Sequence, residues 1–160
     1  EKIPFATLLN EIKESFDFIN PTNKIKLIIP TQIGNKLISV MGNKNLLKTA
    51  IINLYDNACK FSTNQIVSVS LTYDEFRLKL IIKDDGIGIL AKDIHKIIAP
   101  FYRGNNAIKI KGSGIGLTLS SRIIQLHKGT LKIQSEVNLG TEVHIELPLQ
   151  SDYLLILISF

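Results

Sequence analysis

From Asn43 to Phe61 the residues Leu47, Ala50, Ile51, Leu54, Ala58 and Phe61 recur at helical spacing, and this stretch most limits what the chain can become. Such a helix carries one apolar stripe that must be buried against another layer. The pattern then changes period. Residues Ile66–Tyr73 and Arg77–Lys83 are rich in β-branched and apolar residues and flank Asp74 and Glu75, which predicts a hairpin. Ile115 to Lys128 reads as a second amphipathic helix ended by Gly129, and Thr130–Glu136 and Thr141–Leu149 as strands about a turn at Asn138 to Gly140.

Upstream, Phe5, Leu8, Leu9, Ile12, Phe16 and Ile19 give a first helix with Pro4 at a tolerated early position, followed by a turn at Asn20 to Asn23. Short strands are expected near Ile25–Ile29 and Leu37–Met41, and a short helix near Lys92–Ile97. Phe101 to Gly114 is polar, contains glycine and lacks periodicity. No regular strand–helix alternation demands a doubly wound parallel sheet. The fold class expected is α/β: a two-layer sandwich, with a mixed sheet covered on one face by helices.

With 160 residues, one domain over 1–150 is expected, with an apolar tail at 151–160 of unassigned role. That tail, Tyr153 to Phe160, falls far short of the roughly 18 to 20 residues a membrane helix needs. The opening residues show no signal-sequence pattern. A lone Cys59 excludes an internal disulfide framework and a cysteine zinc site, and favours a reducing compartment. Nineteen Lys and Arg against fourteen Asp and Glu suit an anionic partner. The positive residues are scattered and do not interleave with aromatics, so no nucleic-acid partner is expected.

Three clusters carry chemistry. Asn53, Asn57 and Lys60 share one helix face about a quarter turn from the apolar stripe, at the rim of a cleft. Two carboxamides and an ammonium suit a metal-bound phosphate, although the same spacing fits an ordinary solvated face. Asp84-Asp85-Gly86-Ile87-Gly88 follows an apolar strand; a carboxylate there can accept from an exocyclic amine such as that of adenine, and a plain turn is the other reading. Gly112-Ser113-Gly114-Ile115-Gly116-Leu117 opens a helix whose N–H groups can meet phosphate, or it is a ligand-free hinge. It matches neither the dinucleotide pattern nor a phosphate loop.

The order of these pieces is more specific than any of them. "NLYDNACKFS" (53–62) resembles the N box of histidine kinase catalytic domains, "DDGIGI" (84–89) their first glycine box, "IIAPFYRG" (97–104) the F box and "GSGIGL" (112–117) the second glycine box. "GTEVHIELP" (140–148) is similar to their closing strand, and the resemblance runs from about residue 5 to 149. It implies the Bergerat ATP-binding fold, with ATP and Mg2+ as cofactors. Asn57 would be the metal ligand, Asn53 would support metal and phosphates, and Lys60 would contact phosphate. Phe61 would stand beside the base, Asp84 would read its amine with Thr141 assisting through water, and Gly86 and Gly88 would admit it. Arg103 would reach the terminal phosphate when a lid shaped by Gly112, Gly114 and Gly116 closes. Tyr102 and Leu117, in the same boxes, complete the implied nucleotide contacts. Ile98 stands where the F box has its first phenylalanine, and Val143 where the last strand has one.

The resemblance also implies transfer of the ATP γ-phosphate to a histidine on a separate dimerisation domain, with a response regulator downstream. It implies a cytoplasmic location, as a free domain or as part of a membrane-anchored sensor. A degenerate, non-catalytic nucleotide-binding module is the alternative. His95, His127 and His144 lack the acidic-flanked helical context of an acceptor and are expected to be structural; the isolated domain is expected to be monomeric. Hydrolytic relatives have Glu at the position of Asn53, and a carboxamide cannot take a proton from water.

Overall fold

The computed structural model describes residues 1–30, 38–107, 110 and 112–149, in the order β1 (Lys2–Pro4), α1 (Phe5–Ile19), β2 (Lys24–Ile28), β3 (Ser39–Met41), α2 (Lys44–Phe61), β4 (Ile66–Tyr73), β5 (Arg77–Asp84), a 3-10 turn (Asn105–Ala107), α3 (Gly116–Leu126), β6 (Thr130–Glu136) and β7 (Gly140–Pro148). The main sheet runs β2-β4-β5-β7-β6. Its β2–β4 pair is parallel and the other three pairs are antiparallel, so the sheet is mixed, as expected. Val67, Val69 and Leu71 of β4, Leu78, Leu80 and Ile82 of β5, and Ile145 and Leu147 of β7 are buried under the helices. Each such side chain contributes about 1.5–3 kcal/mol on burial.

The stripe of α2 enters this core through Leu47, Ala50, Ile51, Leu54 and Ala58, joined by Tyr55 and Cys59. Phe61 does not; it is half-buried at the edge of a cleft. The side chain of Asn43 caps α2 by accepting from the Leu46 N–H at 3.1 Å. His127 fixes the same end from across the fold. Its Nε2 accepts from the Asn43 N–H at 3.0 Å while Nδ1 lies 2.7 Å from the Ile123 carbonyl, so the proton sits on Nδ1. His127 is thus structural, a bolt between α3 and the start of α2. His144 lies 3.1 Å from Glu142 and His95 is exposed.

Three expectations are corrected. Lys2–Pro4 is a strand, and β1 pairs with β3 in a separate two-stranded sheet, with Ile3 opposite Val40. Pro4 therefore precedes α1 as its N-cap and lies outside the first turn. Lys92–Ile97 is a series of turns, because a six-residue segment gains too little from helix propagation and Asp93 is drawn inward. The left-handed residue that closes α3 is Lys128 (φ +58), with the Gly129 N–H donating to the Ile124 carbonyl at 2.9 Å. The tail 151–160 and the first residues of the strand expected from Leu37 lie outside the described residues. Among the described residues no helix is long and apolar enough to cross a membrane.

Candidate functional site

Because α2 buries its apolar stripe, the face carrying Asn53, Asn57 and Lys60 is left at a cleft between the helices and the loops beyond β5. Both asparagines are half-buried, and among the described residues neither carboxamide has a hydrogen-bond partner. Gly116, first residue of α3, sits beside them: a Cβ there would lie 3.8 Å from both Asn53 Cβ and Asn57 Nδ2. Lys60 pairs with Asp56 one turn earlier at 3.1 Å, and both line the cleft.

Asp84 closes β5 and is 6% exposed, the one buried carboxylate of the cleft wall among the described residues. Burial pushes its carboxyl above the ordinary carboxylate range, while the Gly86 and Thr141 N–H groups pull it back. Its Oδ1 accepts from the Gly86 N–H at 2.8 Å. Gly86 is glycine because a Cβ would fall 1.8 Å from the Phe61 carbonyl oxygen, and Gly88 because its φ is +67 and the Glu136 carbonyl is 2.0 Å from a Cβ position. Their own chain thus accounts for both glycines, which press the Asp84 loop against the end of α2 and the β6–β7 turn.

Thr141 stands opposite Asp84, and beyond it on β6 the Ser135 hydroxyl lies 2.8 Å from the Gly140 carbonyl, 2.9 Å from the Thr141 hydroxyl and 2.9 Å from the Ile89 N–H, which donates to it. With the Ser135 proton on the carbonyl, Thr141 donates to Ser135 and keeps its lone pairs for a donor in the cleft. Tyr102, Arg103, Gly104, Asn106 and Ala107, with Gly112, Ser113 and Gly114, roof the cleft. Arg103 donates to the carbonyls of Ala107, at 2.9 Å, and Ile110. Asn106 donates to the Gly88 carbonyl at 2.9 Å and so links roof to floor. Gly114 accepts from the Phe101 N–H at 3.1 Å, Gly112 is exposed, and Leu117 is half-buried against the core.

The family model described as "Histidine kinase-, DNA gyrase B-, and HSP90-like ATPase" matches residues 42–151. The chain belongs to that family. Within it, the similarity is to the histidine kinase type of ATP-binding catalytic domain. The sensor protein RprX of Bacteroides fragilis is 38% identical over 64% of this chain and 21% of its own length. Sporulation kinase C of Bacillus subtilis is 32% identical over 95% of this chain and 36% of its own length. The chain therefore spans about a fifth to a third of these relatives. Among solved structures, a mycobacterial sensor histidine kinase, MprB, superposes with a TM-score of 0.81 at 26% identity, covering 94% of this chain and 99% of that one. Full-length ShkA in complex with AMPPNP gives 0.77 at 19% identity over 94% of this chain and 31% of that one, which speaks to fold alone.

In this ATPase-family site the donor set fits a hard divalent cation. Asn53, Asn57 and Asp56 offer oxygen ligands along one face of α2, and magnesium is commonly held by one or two such groups plus phosphate oxygens and water. Among the described residues no group of three or more His, Cys, Asp or Glu is placed to hold a metal ion. Phe101, the aromatic left in the F box, is 73% exposed at φ +64 and does not anchor the roof, whereas Ile98 is half-buried and its carbonyl accepts from Thr118 at 2.8 Å. Sequence reasoning missed Ser135, Asn106 and Asp93. Isolated polar residues in turns and strands carry no periodic signal that could have exposed them.

Proposed function

We propose that this chain binds Mg-ATP and donates the γ-phosphate to a histidine on a separate, dimerising helical domain of a two-component kinase, with a response regulator as the later acceptor. The observation that carries this reading is the cleft itself, where one lining holds a buried carboxylate, two carboxamides without partners among the described residues and a lysine, under a roof bearing an arginine. Asp84 accepts from the adenine amine, and Thr141 with Ser135 holds a water beside it; the ring of Phe61 lies along the base. Asn57 and Asn53 would hold magnesium, with Asp56 within reach; when bound, the ion would neutralise phosphate charge.

Lys60 leaves its exposed pairing with Asp56, worth little in solvent, for the phosphates. Arg103 rotates from the Ala107 and Ile110 carbonyls to the terminal phosphate, where its cation meets a charged acceptor in place of neutral carbonyl oxygens. Asn53 takes no proton from water, which leaves the γ-phosphate for an imidazole nitrogen. Positioning and charge stabilisation then supply most of the rate.

The test mixes the chain with a cognate histidine-bearing helical domain and γ-labelled ATP. Acid-labile label on the helical domain is expected. Bound ATP with no transfer would favour a non-catalytic module, and brisk phosphate release without an acceptor would contradict the role given to Asn53.

A further inference from the structure

Asp93 lies in the turns after the first glycine box, outside every motif and outside the cleft lining. It is 1% exposed, although carboxylates are seldom fully buried without partners. Its partners lie on both sides of Arg103. Oδ1 accepts from the Tyr102 hydroxyl at 2.7 Å, and Oδ2 accepts from the Asn105 backbone N–H at 3.1 Å. Between them, a Cβ on Gly104 would lie 3.5 Å from the same Oδ2. One carboxylate thus bonds to the residue before Arg103 and to the second residue after it.

Asp93 is itself fixed. Its N–H donates to the Leu90 carbonyl at 2.8 Å, and its carbonyl accepts from Lys96 and Ile97. Bonds to a charged acceptor are about twice as strong as neutral ones, and here they form out of water. The Arg103 guanidinium, by contrast, is held among the described residues by carbonyls of its own loop.

We infer that Asp93 is a positioning residue for Arg103: it clamps the roof on both sides of the arginine, through the Tyr102 side chain before it and the Asn105 backbone N–H after it, so that the guanidinium reaches the terminal phosphate by side-chain rotation without rebuilding of the roof. This rests on the role proposed for Arg103. Tyr102 apart, the residues assigned to the base and the inner phosphates do not touch Asp93, so loss of the clamp falls mainly on nucleotides that possess a γ-phosphate.

The test is calorimetry of the 160-residue chain with Mg-ATP and with Mg-ADP, alongside thermal melts. Asp93→Ala should weaken Mg-ATP about tenfold, the scale of one charge-assisted bond, and Mg-ADP by less than about threefold. Tyr102→Phe removes one arm of the clamp and should shift the ATP-to-ADP ratio the same way by less, and Asp93→Asn, which keeps one acceptor, should fall between. Should Asp93→Ala not fold, these two variants carry the test. In an Arg103→Ala background, Asp93→Ala should leave the ratio where Arg103→Ala put it. Equal losses for both nucleotides, or an ATP-specific loss that persists without Arg103, overturns the inference. An altered ratio in Arg103→Ala beside a wild-type ratio in the Asp93 and Tyr102 variants sinks the clamp alone. A wild-type ratio in Arg103→Ala sinks the proposed arginine role and the clamp with it.

Discussion

Asp84 sets the conflict between stability and binding in this chain. Burial raises its carboxyl in the folded state, so the folded chain holds that proton more tightly than the unfolded chain does. Between the ordinary carboxylate value and the raised one, stability therefore falls as pH rises, and above the raised value the ionised group is a cost. An amide removes the cost and keeps an oxygen for the Gly86 N–H, but it turns an NH2 donor toward the cleft. Asp84→Asn should leave the melting temperature of the ligand-free chain equal or higher while weakening ATP and ADP alike by about tenfold or more. Calorimetry and thermal melts read both effects; ADP binding at wild-type strength would remove Asp84 from the base contact. Gly86→Ala should fail differently. Its Cβ would meet the Phe61 carbonyl at 1.8 Å, forcing loop and helix apart at a cost of about 1–3 kcal/mol, visible as a lower melting temperature without any ligand.

At the scale of elements, the parts legible in the sequence are those whose period repeats. Four apolar turns of α2 and the alternation of β4 and β5 each restate one orientation several times, and the helix face bearing Asn53, Asn57 and Lys60 lands at the cleft rim because the stripe beside it is buried. The three-residue strands β1 and β3 restate nothing: Lys2–Pro4 runs straight into α1, and only pairing with a distant segment makes it a strand. The same holds for Asp93, whose partners stand nine and twelve residues away in a segment without period. The β4–β5 turn was legible in position, and its chemistry gives a prediction. Asp74 Oδ1 accepts from the N–H groups of Phe76 at 3.0 Å and Arg77 at 2.9 Å, and Oδ2 lies 3.0 Å from Lys79 Nζ. The Phe76 N–H above all, then Lys79 and Arg77, lower its carboxyl to about 2 from 3.8. The turn's stabilisation is present above the ordinary value and lost as pH falls through about 2. Amide resonances of Phe76 and Arg77 should titrate together near that value, and in Asp74→Asn the titration should vanish; a midpoint at the ordinary value would show that the turn does not grip the carboxylate.

At the scale of the molecule, the cleft is where the two layers and the roof meet: α2 and α3 on one side, the ends of β5 and β7 on the other, and residues 102–107 and 112–114 above. A ligand held there ties together parts that the ligand-free chain joins through few bonds, chiefly Asn106 to Gly88 and Asp93 to the start of the roof. Binding to the folded chain alone adds about 2.7 kcal/mol of stability when ligand stands at a hundred times its dissociation constant. For a chain of this size that is roughly 5 to 10 °C in melting temperature. The gain should not be uniform. Base and inner-phosphate contacts are common to both nucleotides, so ADP and ATP should slow hydrogen exchange equally at residues 86–89 and along the Asn53–Lys60 face. Only ATP offers Arg103 a partner better than the carbonyls it holds in this state, so slowed exchange at residues 102–107 should appear with Mg-ATP and be largely missing with Mg-ADP. The paired strands β1 and β3 form a separate small sheet away from the cleft and should exchange at the same rate in all three states. Equal protection of residues 102–107 by both nucleotides would mean that the roof senses the base, and the role proposed for Arg103 at the γ-phosphate would fall.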